Sequence, residues 1–297
     1  MNTRLLTRIS LALVLVVSSN CWAAIDITSP FDLTTANSIG YGTAQLGGAF
    51  IVEQIPPQGT GSGAVDAFLR MQSAANSTHT EGFNTNVSSP PLDTKGGENT
   101  HAILLNSVAS AFIGSTEYRV FLLDIANPGS GELLSLNQVQ LFTSDHGWTS
   151  AGGTPDGFSP ANPDGVDPPV ISLTGGFTEV FRLTGLSVDN EVLLNGNLNS
   201  GNGSGDMLLW VKDSIFGALN EDTTYVTLYS QFGNPPGTYE DVGSFDEWAN
   251  LSAVPEELIP PEQIEDPVPL PGSLLIWGLG SMICIGSRRF RRFCQPK

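Results

Sequence analysis

Residues 117–142 read EYRVFLLDIANPGSGELLSLNQVQLF, and this stretch decides the fold class. Arg119–Ile125 contains the apolar run Val120–Leu123, and Leu133–Phe142 mixes apolar with polar residues, so we predict that both segments are β-strands. The sequence NPGSG between them is composed of residues that favour turns. We therefore predict two long strands joined as a hairpin in an all-β domain.

A second stretch has the same organisation. Glu191–Asn195 passes through GNLNSGNGSG, residues 196–205, into Met207–Val211. This pattern also predicts a hairpin with a long connection. We interpret the likeness of the two stretches as convergent hairpin chemistry and not as an internal repeat.

The remaining segments continue the β pattern. No stretch of 12 residues carries a convincing helical stripe, and we expect only short helical turns at Asp213–Leu219 and Asp241–Ala249. About ten short strands between turn-rich segments predict one jelly-roll-like β-sandwich over residues 24–253, with residues 147–167 as a long loop. The predicted strands are Ala49–Ile55, Val65–Met71, Ala102–Val108, Glu117–Ile125, Leu134–Phe142, Thr178–Leu183, Val192–Leu194, Met207–Val211 and Thr223–Phe232.

Charge is distributed very unevenly along the 297 residues. All 30 acidic residues lie between Asp26 and Asp266, and only five basic residues lie there, so this region carries about 25 net negative charges. Such a surface repels nucleic acid and anionic lipid, and it suits solubility and the binding of divalent cations. The three cysteines, Cys21, Cys284 and Cys294, all lie outside residues 24–253, so we expect the domain to fold without disulfides.

The N-terminus is typical of a secretory signal peptide. Arg4 and Arg8 precede the apolar run Ile9–Val17, which is too short to span a membrane, and Cys21 and Ala23 place small residues before a cleavage site at Ala24. We predict that residues 1–23 are a signal peptide and that the protein is exported.

The C-terminus has three parts. Residues 254–267 read VPEELIPPEQIEDP, a composition that predicts an extended acidic stalk. Val268-Pro269-Leu270-Pro271 then opens an apolar segment that reaches Gly286, long enough at ~1.5 Å per residue to form a single transmembrane helix. Four arginines, Arg288, Arg289, Arg291 and Arg292, follow and should remain on the cytoplasmic side.

Residues 268–297 resemble the PEP-CTERM sorting signal in its Val-Pro-Leu-Pro variant, with Leu270 where the eponymous motif has Glu. The resemblance implies processing by an exosortase-type membrane protease, transient anchoring in the inner membrane, and release to the surface of an exopolysaccharide-producing Gram-negative cell. An ordinary C-terminal anchor is the alternative. Val65–Gln72, Asp93–Gly97 and Ser204–Met207 are also similar to an exported domain class that often precedes this tag, without implying a role for any residue.

Motifs for catalysis are missing from the sequence. It has no Gly-x-Ser-x-Gly and no His-Glu-x-x-His, and its histidines, His79, His101 and His146, share no spacing. We predict that each histidine is a solvated polar residue and that the protein is not an enzyme. A secreted hydrolase with a carboxylate pair stays an alternative, since such pairs are set by spatial position.

Two candidate binding sites stand out. Asn162, Asp164 and Asp167 place oxygen ligands around Gly165, which partly resembles a calcium loop but lacks its final Glu. Asp124 with Asn127, and Asn202 with Asp206, are weaker cation candidates. Calcium is thus the only cofactor that we consider.

The tryptophans suggest a carbohydrate-binding alternative. Trp148 follows a polar loop sequence, so its exposure would offer a platform for a glycan, whereas Trp210 and Trp248 are expected in the core or at its edge. We favour a non-enzymatic protein of the cell surface or extracellular matrix, associated with exopolysaccharide and biofilm. A carbohydrate-binding module, assisted by calcium, is the second reading.

Overall fold

The computed structural model describes residues 25–27, 30–56, 65–72, 77–126, 133–148, 159–160, 170–173, 175–185, 189–199, 205–233, 239 and 245–262. The chain divides into two compact units, Met1–Ile259 and Pro260–Lys297. The signal peptide and the C-terminal helix predicted above lie outside the described residues. Within those residues, none of the helical segments has the length and apolar character that crossing a bilayer requires.

The described residues form 17 strands and three short 3-10 turns. The turns are Leu105–Ser107, Asp213–Phe216 and Glu256–Leu258. The strands are β1 Ile25–Ile27, β2 Phe31–Asp32, β3 Ser38–Thr43, β4 Ala49–Gln54, β5 Val65–Gln72, β6 Thr80–Phe83, β7 Ile103–Leu104, β8 Ser110–Ile113, β9 Thr116–Ala126, β10 Leu133–Ser144, β11 Ser159–Pro160, β12 Ile171–Ser172, β13 Thr178–Arg182, β14 Val192–Asn195, β15 Met207–Lys212, β16 Tyr225–Phe232 and β17 Phe245–Leu251.

Most strands belong to two large sheets. Sheet A has the order β1-β3-β4-β15-β9-β17-β5, and β8 also pairs with β9. Sheet B has the order β2-β14-β10-β16-β6, with β13 also on β10 and β7 also on β16. All pairs are antiparallel except β1 with β3 and β2 with β14. The all-β sandwich predicted from the alternating pattern is confirmed.

Side chains from both sheets share one inner core. Phe121 and Leu209 from sheet A belong to the same buried cluster as Leu136 and Leu228 from sheet B. The alternation of each strand places its other side chains on the opposite face of its sheet. These outer faces also carry buried apolar side chains, so each sheet has an apolar cluster on its outer face in addition to the shared core.

Both predicted hairpins are wrong in the same way. β9 lies in sheet A and β10 in sheet B, and β14 lies in sheet B and β15 in sheet A. Each connection therefore crosses from one sheet to the other. A turn-rich segment reverses the chain but does not determine whether the flanking strands share hydrogen bonds or face one another. Here the strands on either side of each connection face one another across the core, because each strand buries one face there.

The two crossings lie side by side. β9 pairs with β15 in sheet A, and β10 pairs with β14 in sheet B. In register, Met207 is opposite Leu123 and Asn195 is opposite Leu133, which brings the ends of all four strands together. We call this end of the sandwich, where β9 leads to β10 and β14 leads to β15, the crossing end.

Three other local predictions need correction. Ala102–Val108 is interrupted by a 3-10 turn, in which the Ser107 hydroxyl donates to the Leu104 carbonyl at 2.7 Å. Of the helical turn predicted at Asp241–Ala249, the part from Phe245 onward belongs instead to β17, because pairing with both β9 and β5 makes Phe245–Leu251 an interior strand. Residues 241–244 lie outside the described residues. The turn predicted at Asp213–Leu219 is present but shorter.

The sandwich also extends beyond the predicted boundary at residue 253. Leu258 is 2% exposed and joins the outer cluster of sheet A, against which Val254 and Ile259 also pack. Residues 254–259 are thus part of the domain, and the predicted stalk cannot begin before Pro260. The packing of Val254, Leu258 and Ile259 on the outer cluster outweighed the proline and acidic content of this stretch.

Replacing Leu258 with Ala should destabilise the protein. Large-to-small changes at buried leucines cost about 2–5 kcal/mol, and a site at the margin of a cluster belongs near the lower value. For a domain of this size, each kcal/mol lowers the melting temperature by about 2–4 °C. Glu257→Ala is the matched control, because Glu257 is exposed on the same turn. Equal melting temperatures for the two variants would contradict the burial of this segment.

Candidate functional site

The crossing end collects buried acidic groups from different parts of the chain. Asp124 lies near the end of β9, and Asp206 directly precedes β15. These residues belong to two cation candidates that the sequence offered separately, and their partners Asn127 and Asn202 lie outside the described residues. Asp124 is 7% exposed and Asp206 is 3% exposed. The fold therefore brings together one residue from each of the two weaker cation candidates.

Asp206 is held against β9 on both sides of Asp124. Its backbone amide donates to the Leu123 carbonyl at 2.7 Å. Its Oδ2 accepts a hydrogen bond from the Ile125 amide at 2.6 Å, so the side chain replaces a backbone carbonyl at the end of the strand pair. The other oxygen, Oδ1, is buried without a hydrogen-bond partner.

Gly205 makes this placement of Asp206 possible. Its φ of +47° lies in the left-handed region, and a Cβ at this position would be 2.8 Å from Cδ1 of Leu122. A side chain here would push the backbone away from β9. The sequence Gly-Asp at the start of β15 is therefore required by the close approach of this segment to the neighbouring strand.

A row of charged residues continues from Asp124 across sheet A. Glu247 on β17 is opposite Asp124, and Arg70 on β5 is opposite Glu247. Arg70 donates to the Glu247 carboxylate and lies 5.3 Å from the centre of the Phe245 ring. The row thus contains the carboxylates of Asp206, Asp124 and Glu247, and Arg70 pairs with Glu247.

Burial changes the acidity of Asp206. Removal from water raises its pKa from 3.8 to about 8; the Ile125 amide opposes the shift, and the charge of Asp124 adds to it. At neutral pH the group is consequently protonated unless a positive charge approaches it.

Two of the segments that resemble a known exported domain class come together beside this row. The Lys95 amide donates to the Arg70 carbonyl at 2.8 Å, and the Gln72 amide donates to the Asp93 carbonyl at 3.0 Å. Residues 93–95 therefore cover the free edge of β5. This protects the edge strand from pairing with another chain.

Most of the predicted site residues cannot be placed. Asn162, Asp164 and Asp167 lie outside the described residues, as do the sorting residues Val268–Pro271 and Arg288, Arg289, Arg291 and Arg292. In the described ranges, no group of three or more histidine, cysteine or acidic side chains is arranged to hold a metal ion. The His146 ring is half exposed and bonds the Asp145 carboxylate at 2.6 Å.

The expected exposure of Trp148 is wrong. The residue is 3% exposed, and its ring stacks on Phe83 with the centres 4.4 Å apart and a tilt of 14°. The polar neighbours of Trp148 in sequence suggested a loop tip, but Phe83, Phe142 and Tyr229 on the outer face of sheet B provide an apolar surface that buries it. No free ring face is left for a glycan, which removes the observation that favoured carbohydrate binding. Trp210 and Trp248 are both fully buried, as predicted.

Glu53 is a second carboxyl group with altered acidity. It lies on β4 opposite Leu208 and Ile39, at the outer cluster of sheet A. Loss of water raises its pKa from 4.5 to about 8, while the Trp210 indole partly opposes the shift. Nothing in the sequence indicated this, because a glutamate near the end of a strand is expected to be solvated.

The stability of the protein should fall as the pH rises because of Glu53. Below pH 4.5 the carboxyl is protonated in both folded and unfolded chains; between 4.5 and about 8 only the unfolded chain releases the proton, so unfolding becomes easier until the folded group also ionises. Melting temperatures in a chelating buffer should be higher at about pH 5 than at about pH 9. Glu53→Gln should reduce the difference, whereas Glu256→Gln at an exposed position should preserve it. An unchanged difference in Glu53→Gln would refute the assignment.

Comparison with known proteins gives no family for this chain. No family model matches it, and no curated protein matches it at a significant level.

Proposed function

We propose that this protein is an exported, acidic β-sandwich of the cell surface or extracellular matrix, delivered by its signal peptide and sorted by its PEP-CTERM-like C-terminus. The observation that carries the proposal is the division of the chain after Ile259. The sandwich is complete at this point, and the residues that resemble the sorting signal all belong to the second unit. A processing enzyme could remove that unit without cutting into the domain.

The charge of the domain supports the same function. About 25 net negative charges between Asp26 and Asp266 make binding to nucleic acid unfavourable and keep a secreted protein soluble. A biofilm matrix offers hydrated polysaccharide and divalent cations as partners. The paired crossings between sheets are compatible with the jelly-roll-like fold, which we include in the proposal.

The sorting hypothesis predicts two distinct failures. Changing Arg288, Arg289, Arg291 and Arg292 to Gln should misorient the protein or release it at full length, because each arginine costs ~2.5–3.5 kcal/mol to place in the bilayer. Changing Pro269 and Pro271 to Ala should leave an uncleaved, membrane-bound form, because the prolines keep the backbone open to a protease. The measurement is the mass of the C-terminal peptide in membrane and medium fractions of the producing cells.

Lys297→Gln serves as the control, since it removes a basic residue outside the arginine cluster and should leave processing unchanged. The proposal fails if wild-type protein is recovered with Lys297 intact while the processing enzyme is present. In that case, residues 268–297 are a permanent anchor.

A further inference from the structure

We propose that two copies of this chain exchange their N-terminal segments, which comprise β1, β2 and Leu33, so that each copy completes the sandwich of the other. The receiving surface is the side of the sandwich formed by β3 and β14. The inference goes beyond the proposed function and rests on it in one respect: cleavage before Ala24 leaves a single residue ahead of β1 and gives the segment a free end. It does not depend on the sorting signal.

The N-terminal segment pairs with both sheets differently from the other described strands. β1 lies at one end of the strand order of sheet A, and β2 lies at one end of that of sheet B. Both pair in parallel, β1 with β3 over three residues and β2 with β14 over two, whereas the remaining described pairs are antiparallel. The segment can therefore leave its own domain without separating any other pair of strands.

Phe31 anchors the segment in a space that is shaped for its ring. The residue is 2% exposed and meets Phe50 edge to face, with the ring centres 5.5 Å apart. A Cβ on Gly40 would lie 2.5 Å from Cδ1 of Phe31, and a Cβ on Gly42 would lie 2.7 Å from its Cζ. We call the space bounded by Gly40, Gly42 and Phe50 the Phe31 slot. When the segment leaves, the slot is an apolar opening at the side of the sandwich, and the segment of a second copy fits it by identity.

The connection between β2 and β3 is suited to act as a hinge. Residues 34–37 carry the chain from sheet B to sheet A. Asn37 has a φ of +62°, in the left-handed region that is costly for residues other than glycine, and its amide donates to Oε1 of Gln54 at 2.6 Å. The contacts of β1, β2 and Phe31 are the same in both arrangements. Release of the strained hinge therefore favours exchange, which is a low-cost route to a dimer.

The test traps the exchanged strand with cysteines. Ile25 and Ser38 are opposite each other in the β1–β3 pair, and neighbouring strands are about 4.8 Å apart, within the Cα separation that a disulfide spans. Chains carrying Ile25→Cys and chains carrying Ser38→Cys, each with Cys284 and Cys294 changed to Ser, are produced together in one cell and purified in detergent. The buffer contains salt, which screens repulsion between the acidic copies.

Exchange should give a disulfide-linked dimer in which a peptide containing residue 25 of one chain is joined to a peptide containing residue 38 of the other. One chain carrying both cysteines should form the same dimer. If that chain instead closes its disulfide internally and the co-produced chains stay monomeric, each segment docks on its own domain and the proposal is overturned. The mass of the N-terminal peptide shows separately whether residues 1–23 have been removed, so a failure of the proposed export is recognised on its own.

Two further variants test the hinge and the slot by light scattering. Asn37→Gly should lower the dimer fraction several-fold without loss of folding, because glycine adopts a positive φ without strain. Phe31→Ala should also lower it, since the slot then loses the ring that fills it. Phe112→Ala is the matched control, because Phe112 is an exposed aromatic residue outside the slot and its loss should leave the dimer fraction unchanged. A dimer that persists in both Asn37→Gly and Phe31→Ala would form through another surface and would overturn the proposal.

Discussion

Replacing Arg119 with Met should lower the free energy of unfolding by about 3–5 kcal/mol, the usual cost of breaking a buried ion pair. The Arg119 side chain is 6% exposed, and its Nε donates to Asp213 at 2.6 Å. It also donates to Glu221 and to the carbonyls of Leu105 and Val108, at 3.2 and 3.1 Å. Burial alone would lower the pKa of the guanidinium, but the two acids hold it above its ordinary value, so the group stays charged.

The substitution removes donors that no water can replace at the buried carbonyls. We expect a loss in melting temperature of about 10 °C, since each kcal/mol corresponds to about 2–4 °C in a domain of this size. Arg119→Lys should be intermediate, because a lysine retains the charge but cannot donate in four directions. Arg182→Met is the comparison, because the Arg182 side chain is 27% exposed and pairs with a single acid, so its loss should be smaller than that of Arg119. Similar losses in both methionine variants would contradict a special role for Arg119.

The strands were predictable because their signal is local. Apolar-rich segments between turn residues located β4, β9, β10 and β15 to within about two residues of their observed ends. The strand pattern assigns successive side chains to two opposite faces. It cannot predict that both faces of a sheet are buried, which is why Glu53 and the outer clusters were unexpected.

Strand partners were not predictable from the same signal. β9 and β10 have the composition and turn of a hairpin, yet their hydrogen bonds go to β15 and to β14 and β16. Partner choice depends on which long-range pairing buries the most apolar surface. No short stretch of a single sequence shows which long-range pairing would bury the most apolar surface.

The proximity of Asp124 and Asp206 has the same origin. Asp124 after an apolar run and Asp206 after a glycine-rich run each gave a weak local signal. Their proximity follows only from the pairing of Met207 with Leu123, a register that no local pattern specifies. By contrast, the acidic balance of the domain and its lack of cysteine could be read directly from the sequence.

Replacing Trp148 with Ala should cost about 3–5 kcal/mol of stability, the usual range for a buried tryptophan. The ring fills the space between Phe83, on which it stacks, and Phe177, whose centre is 5.8 Å away. Its backbone carbonyl also accepts from the Asn86 amide at 3.2 Å, so the residue connects the segment after β10 to the segment after β6. Loss of the ring leaves a cavity against Phe83 that the rigid sheet cannot close.

Trp148→Phe should recover a large part of this loss, because a phenylalanine ring can still stack on Phe83. Phe112→Ala is the matched control: Phe112 is an aromatic residue that is 59% exposed, and its truncation should change stability by less than about 0.5 kcal/mol. Melting temperature and retention on immobilised exopolysaccharide should be measured for all three variants. If Trp148 is an internal residue, Trp148→Phe retains polysaccharide as well as the wild type does. A variant with unchanged melting temperature but lost retention would instead make Trp148 a glycan contact, and it would require that the ring leave the stack with Phe83.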